Sequence, residues 1–315
     1  MPTLADVAKR ANVSKMTVSR VINHPEQVTD ELKELVFSAM AELDYRPNIA
    51  AKALVTNRSQ IIKLFILEEI DTTEPYYMNL LMGIAKRIGK AHYSLQLVTN
   101  DAFDVGSCDG YIITGVRKKD FDWIDRLEKP VVLFGENSEG YDYVDSDNEY
   151  GTAKATQYAL ERDYQTIIYI GIEVDEPFEI SRETGYLSVM KEADLPSKIL
   201  RFPNHSTEVE RYMTENWGDF TDKTCFVCSS DRLALGAVRG IINAGGHLPE
   251  EFGVIGFDGV FLDQISSPKL TTIKQDIIRM GEVCGEMLLK KIEEKGASQG
   301  YRRFFPELVI RETTN

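Results

Sequence analysis

Residues 3–24 read TLADVAKRANVSKMTVSRVINH, and their periodicity decides how the chain begins. Leu4, Val7, Ala8 and Ala11 are spaced three, one and three apart, which places four apolar side chains on one face of a helix. Thr3 precedes that run and Asp6 follows Thr3 by three positions, the spacing of a reciprocal N-terminal cap. The run stops at Ala11-Asn12-Val13. Ser14 is then placed to cap a second helix, Lys15 to about Asn23, with Val18, Val21 and Ile22 facing inward. The opposite face carries Lys15, Met16, Thr17, Ser19 and Arg20. Cations and hydroxyls suit phosphates and an arginine can bond a guanine edge, so this face suits a DNA groove. The same pattern also fits a plain helical bundle with surface cations.

A third helix follows. Thr29 is placed to cap it, Asp30 and Glu31 favour its positive end, and Leu32, Leu35, Val36, Ala39, Met40 and Leu43 are its expected buried stripe. Tyr45-Arg46-Pro47 ends it, because proline disfavours helical geometry in the residue before it. The alanine-rich segment Asn48–Thr56, NIAAKALVT, is too short to hold a helix by itself.

The whole chain has 315 residues, 43% hydrophobic and 27% charged, which suits a soluble globular protein with a small head and a larger two-lobed domain. Its net charge of −14 argues superficially against a nucleic-acid partner, so the distribution matters. Residues 1–58 hold eight Lys and Arg against seven Asp and Glu, and before His24 there are four cations against one anion. The acidic bulk would repel DNA while the head presents a local positive face. No apolar stretch has the length of a signal peptide or a membrane span, so a cytoplasmic location without membrane contact is expected. Cys225 and Cys228 have CxxC spacing inside the apolar run CFVC, which reads as a core strand rather than a metal or redox site.

From Ile61 the pattern changes. The short apolar runs IIKLFIL, YIIT, VVLF, TIIYIGI, CFVCSS and GVIGF alternate with helical segments, among them Tyr76–Ala91, Asn148–Glu161, Arg182–Ala193 and Arg232–Ala244. Such alternation implies an α/β domain of parallel sheets with crossover helices. Only about a dozen residues separate SLQLV (94–98) from YIIT (111–114), so a shortened or non-helical crossover is expected there.

TLADVAKRANVSKMTVSRVIN together with LDYRPNIAAKALVTNRS resembles the head and hinge of the LacI/GalR family of bacterial transcription regulators, and a looser similarity continues to PELVIRETT. The resemblance implies an α/β protein with a small all-α helix-turn-helix head (1–46), a hinge helix and linker (47–59) and a two-lobed effector and dimerisation domain (60–315) like periplasmic sugar-binding proteins. It places Lys15, Met16 and Arg20 on base edges and Ser14, Thr17, Ser19 and Asn23 on phosphates. It assigns Asn48, Ala51 and Leu54 to the minor groove, with Leu54 wedged between central base pairs to kink the duplex. An ordinary linker with one exposed leucine is the plainer reading of that segment.

The resemblance also implies an effector site between the lobes. Its candidates are Tyr76 and Tyr77 after the first strand, Arg182 in SRETGY, Ser230 and Asp231 in CSSDRLALGA, Asp258 in VIGFDG and Gln275 in LTTIKQD. Arginine and aspartate offer donors and acceptors to hydroxyls, and tyrosines stack on C–H faces, which fits a small sugar. Gly135 departs from the polar residue some members carry. FPNHSTEVE lacks a tryptophan found in others, leaving Phe202 or His205 as substitutes. The acidic stretch Glu68-Glu69-Ile70-Asp71 and Glu74 favours a neutral effector over an anionic one.

The function so implied is a sequence-specific regulator, most simply a repressor of carbohydrate-utilisation genes. Two heads of a homodimer would read a pseudo-palindromic double-stranded operator, and a small neutral sugar would control its affinity. Family members include both inducible and corepressed types. The end at VIRETTN, without a leucine-heptad tail, favours a dimer over a tetramer. No cofactor, metal or enzymatic activity is expected: GxSxG, Walker, HExxH and GxGxxG motifs are absent from the sequence, and His24, His92, His205 and His247 are scattered. A cytosolic sugar-binding module without gene control is the alternative.

Overall fold

The computed structural model describes residues 2–23, 27–45, 58–68, 75–98 and 106–315. They divide into two compact units, residues 1–60 and 61–315.

The first unit is a three-helix head of α1 (Leu4–Arg10), α2 (Lys15–Asn23) and α3 (Asp30–Glu42). Thr3 and Asp6 cap α1 reciprocally: the Thr3 backbone N–H donates to the Asp6 carboxylate at 2.8 Å, and Asp6 N–H donates to Thr3 Oγ1. Asn12 takes a positive φ of 50° in the turn, a conformation asparagine tolerates better than most residues. Val7, Ala8, Ala11, Val18, Val21, Val36 and Ala39 form the shared core, and an Arg10–Glu42 ion pair ties α1 to α3. Two expectations fail on α3. Thr29 stands at its N-cap position but makes no side-chain cap. Leu35 is 49% exposed, because its position lies about 90° around the helix from the centre of the row Leu32, Val36, Ala39, Met40 and Leu43. The segment 46–57, with Asn48, Ala51 and Leu54, lies outside the described residues, as does the side chain of Asn23.

The second unit contains two six-stranded sheets. The first runs β11 (Tyr301–Phe304), β5 (Tyr143–Ser146), β4 (Val131–Phe134), β3 (Gly110–Thr114), β1 (Ile61–Ile66), β2 (Ser94–Val98), parallel throughout. The second runs β12 (Glu307–Val309), β10 (Thr271–Lys274), β9 (Phe252–Asp258), β8 (Thr224–Cys228), β6 (Thr166–Ile172), β7 (Lys198–Phe202). Only β12 is antiparallel, so this sheet is mixed where the strand–helix alternation suggested a purely parallel one. The chain passes between the lobes after β5, after β10 and between β11 and β12. Cys225 and Cys228 lie buried in β8 as free thiols.

The main helices of the first lobe are α4 (Tyr76–Gly89) and α9 (Ile277–Glu293), which pack together on one sheet face. Gly83 allows the approach: a Cβ there would lie 2.1 Å from the Ile278 carbonyl oxygen. The second lobe carries α5 (Asn148–Glu161), α6 (Pro177–Glu192), α7 (Ser206–Glu215) and α8 (Asp231–Asn243). Helix α6 begins five residues before the expected Arg182. Proline in its first turn has no N–H to lose there and a φ already suited to a helix. β2 and β3 flank β1 and are joined by residues 99–109. Of these, 106–109 are non-helical and 99–105 lie outside the described residues. Lys63 in β1, 2% exposed, donates its ammonium to the Gly106 carbonyl at 2.7 Å and so anchors this connection beneath the sheet.

Candidate functional site

Two surfaces collect the chemistry. On the head, Ser14 Oγ accepts the Thr17 N–H at 3.0 Å and pairs with Thr17 Oγ1 at 2.8 Å, which fixes the start of α2. Lys15 and Arg20 are exposed and Met16 is 71% exposed, although methionine usually seeks cover. Val18 and Val21 are fully buried on the other side, so the polar face is held outward by the core.

The second surface is a cleft of about 410 Å³ between the two lobes of the larger unit. Strand ends of both sheets supply it, as expected for parallel α/β sheets. Arg182 of α6 is buried on its wall. Its Nε donates to Asn148 Oδ1 at 2.9 Å, its guanidinium donates to the Ser229 carbonyl, and it lies 3.8 Å above the Phe257 ring. These contacts leave the side chain one orientation. Asp258 closes β9 with a φ of +122°, and its carboxylate accepts the Gln275 side-chain amide at 2.8 Å. Tyr76 and Tyr77, at the start of α4, present rings edge to face with centroids 5.4 Å apart. Asp145 closes β5 and accepts backbone N–H groups from Glu136 and Ser146 at 2.8 and 2.7 Å; burial nevertheless pushes its pKa up to about 6.

Side-chain contacts join the lobes across the cleft. Arg117, after β3, meets Glu176, just before α6, at 2.9 Å, and Ser181 of α6 donates its hydroxyl to Glu136. Glu136 also pairs with Arg303 of β11 at 3.2 Å. Among the described residues no cluster of histidine, cysteine and carboxylate side chains is placed to hold a metal ion.

Residues 3–48 match the model of bacterial regulatory proteins of the lacI family, and residues 156–314 match that of a periplasmic binding protein-like domain. The HTH-type transcriptional regulator YvdE of Bacillus subtilis is 54% identical over 315 residues, all of both chains. This chain belongs to the lacI family of bacterial regulatory proteins. The ribose operon repressor of Halalkalibacterium halodurans is 31% identical, over all of this chain and 97% of its own. Among solved structures, the transcriptional regulator CelR in complex with cellobiose has a TM-score of 0.73 at 25% identity, covering 99% of this chain and 100% of its own. The lac repressor dimer bound to operator and the anti-inducer ONPF shares the fold, with a TM-score of 0.76 at 22% identity over 99% of each chain.

In this lacI-family, DNA-binding transcriptional regulator, most of the expected effector residues converge on the cleft. Tyr76, Tyr77, Arg182, Ser230 and Asp258 line it. Two do not. Asp231 turns inward, accepting the Gly259 N–H at 2.9 Å and the Thr272 hydroxyl, and burial beside Asp258 raises it well above the usual carboxylate range. It is a brace behind the wall. Gln275 is likewise buried, bonded to Ser146 and Asp258. From FPNHSTEVE it is Asn204 that lines the cleft, accepting from Ser230 at 2.8 Å; Phe202 instead packs on Tyr212, with centroids 5.2 Å apart. Sequence reading missed Arg117, Glu136, Asp145 and Glu176. Asp145 was detectable as an acid at a strand's carboxyl end. The others required knowing which loops oppose across the cleft.

Proposed function

We propose that this regulator is a homodimeric repressor of carbohydrate-utilisation genes, and that a small neutral sugar bound in the cleft sets its affinity for a pseudo-palindromic operator. The observation that carries this reading is the convergence of a fixed arginine, Arg182, and a braced aspartate, Asp258, beside the Tyr76 ring. That set offers donors, acceptors and an apolar face, which a neutral polyol needs together. Glu68, Glu136 and Asp145 add negative charge to the lining and disfavour an anionic effector. Lys15, Met16 and Arg20 read base edges, Ser14, Thr17, Ser19 and Asn23 hold phosphates, and Asn48, Ala51 and Leu54 enter the minor groove. Exposed Met78 and Met82 on α4, with Leu97 on edge strand β2, supply an apolar face suited to a second copy. The protein works in the cytoplasm by binding rather than by catalysis; no helix among the described residues is long and apolar enough to cross a membrane.

Anisotropy of a labelled duplex from the gene's own promoter, at fixed salt, tests this. Tight binding reversed by one neutral sugar is the expected result. Binding strengthened by the sugar would make it a corepressed regulator. No preference over random duplex, with or without sugars, would overturn the operator reading.

A further inference from the structure

We infer that Glu179, buried behind the cleft wall, is the counter-charge of Arg182 and makes the cleft select an uncharged ligand over an acidic one. This rests on the sugar reading above and names the residue that enforces neutrality.

Arg182 creates the need. It is only 7% exposed, and the Asn148 side chain, the Ser229 carbonyl and the Phe257 ring that hold it are all uncharged. A guanidinium taken out of water in this way needs an opposite charge nearby. Left uncompensated, it would also draw a ligand carboxylate or phosphate into the cleft. The cleft's other arginine after β3, Arg117, already has an acid, Glu176, at 2.9 Å.

Glu179 stands where the charge is wanted. It precedes Arg182 by three residues on α6, so the two are neighbours on the helix surface. Phe178, Ile180 and Arg182 line the cleft, and Glu179 is set back behind them, 2% exposed. The place is built for an acid. Tyr169 of β6 donates its hydroxyl to Glu179 Oε1 at 2.8 Å, and the Tyr169 ring is itself stacked on Tyr186, centroids 5.4 Å apart. Gly171 leaves room: a Cβ there would come within 2.6 Å of the same carboxylate oxygen. Burial pushes the Glu179 carboxyl above its ordinary range, and the charge on Arg182 is the main influence that opposes that push. Asp145 also feels Arg182, but it ends β5 in the first lobe. Glu179 shares a helix with the arginine and stays beside it whatever angle the lobes take.

Two measurements on the full-length protein test this. The first is urea unfolding of wild type, Glu179→Gln, Arg182→Met and the double variant. Glu179→Gln keeps an acceptor for Tyr169 and removes only the charge. It should lower the urea midpoint in the wild-type background, where the arginine is left uncompensated. It should raise the midpoint in the Arg182→Met background, where it removes a lone buried carboxylate. Equal shifts in both backgrounds would overturn the counter-charge. The second is calorimetric titration with glucose, galactose and maltose, each beside its acid, glucuronate, galacturonate and maltobionate. Wild type should bind one neutral sugar at least tenfold tighter than the matching acid. Glu179→Gln should narrow that gap about tenfold, and Glu179→Asp, which keeps the charge, should preserve it. A gap unchanged by Glu179→Gln, or an acid bound by wild type as tightly as its neutral partner, would overturn the selectivity role while leaving a sugar site. No binding of any of the six would overturn the sugar reading and the selectivity together, and the unfolding cycle would decide the counter-charge by itself.

Discussion

Gln275 donates its side-chain amide to Asp258 Oδ1 at 2.8 Å, while its backbone N–H donates to the Asp258 carbonyl at 3.0 Å. Its own side-chain oxygen accepts the Ser146 hydroxyl. Gln275 lies between β10 and α9, and Ser146 ends β5. Two passages between the lobes are therefore joined at the carboxylate that faces the cleft. Asp258 holds a φ of +122°, which a side-chain-bearing residue adopts only when its surroundings enforce it. A ligand on Asp258 would therefore bear on both passages between the lobes.

Replacing Gln275 by leucine should loosen that carboxylate and leave the buried Ser146 hydroxyl without its partner. The expected cost is about 1–3 kcal/mol in urea unfolding. Effector affinity should fall about tenfold by titration, while operator affinity in the absence of effector stays unchanged. An unaltered effector affinity would separate the hinge bond from the site.

Arg182→Lys tests the fork rather than the charge. Lysine keeps a cation near Glu179 but cannot bond the Asn148 side chain, the Ser229 carbonyl and a ligand hydroxyl in one plane. Operator binding should persist and the effector response should be lost, read by anisotropy with and without sugar. Loss of operator binding in folded protein would remove Arg182 from the effector site.

Sequence periodicity carried most of the architecture, because apolar faces are local facts. Val7, Ala8, Val18 and Val21 announce the head, and Ile62, Leu64 and Ile66 announce a buried strand. Leu35 misled because one residue's displacement around a helix exceeds what an apolar count resolves. For the cleft, Asp258, Tyr76 and Tyr77 came from the family resemblance, because an aspartate at a strand end taken alone reads as readily as a cap. Its lining was not legible where a contact spans more than forty residues, as for Arg117 with Glu176 or Ser181 with Glu136. Asp231 shows the converse error: a carboxylate beside the cleft in sequence turns inward once Gly259 and Thr272 offer it donors.

Arg20→Ala should weaken specific operator binding by about 1–3 kcal/mol and relax preference at one base pair. The side chain is exposed, so folding should be unaffected. Anisotropy with single-base operator variants at fixed salt checks both. A uniform loss across all sequences would instead make Arg20 a phosphate contact.

Asp145 gives a stability signature with a definite sign. Its pKa is about 6 in the folded chain against 3.8 in the unfolded one, mainly because it is buried. Between those values the folded protein binds more protons, so this group's contribution makes stability fall as pH rises from about 4 to about 6 and level off above. The contribution is about 3 kcal/mol. Asp145→Asn should flatten the profile in that window relative to wild type, whatever its absolute stability, measured by urea unfolding across pH. Parallel profiles would mean that Asp145 ionises normally.

The contact between α4 and α9 makes a paired prediction from two glycines of one helix. Gly83→Ala places a methyl 2.1 Å from the Ile278 carbonyl oxygen, and neither helix backbone can yield without moving the other. Overpacking of this kind costs about 1–3 kcal/mol. Gly89→Ala, at the end of the same helix, meets nothing within 4 Å and takes no positive φ, so it should be neutral or stabilise by up to about 1 kcal/mol. Because α4 begins at the cleft tyrosines and α9 follows the hinge glutamine, displacement at Gly83 should also weaken effector binding, whereas the Gly89 variant should not. Thermal melts and titration of the two variants side by side check this, and equal behaviour would mean that the helices have room to separate.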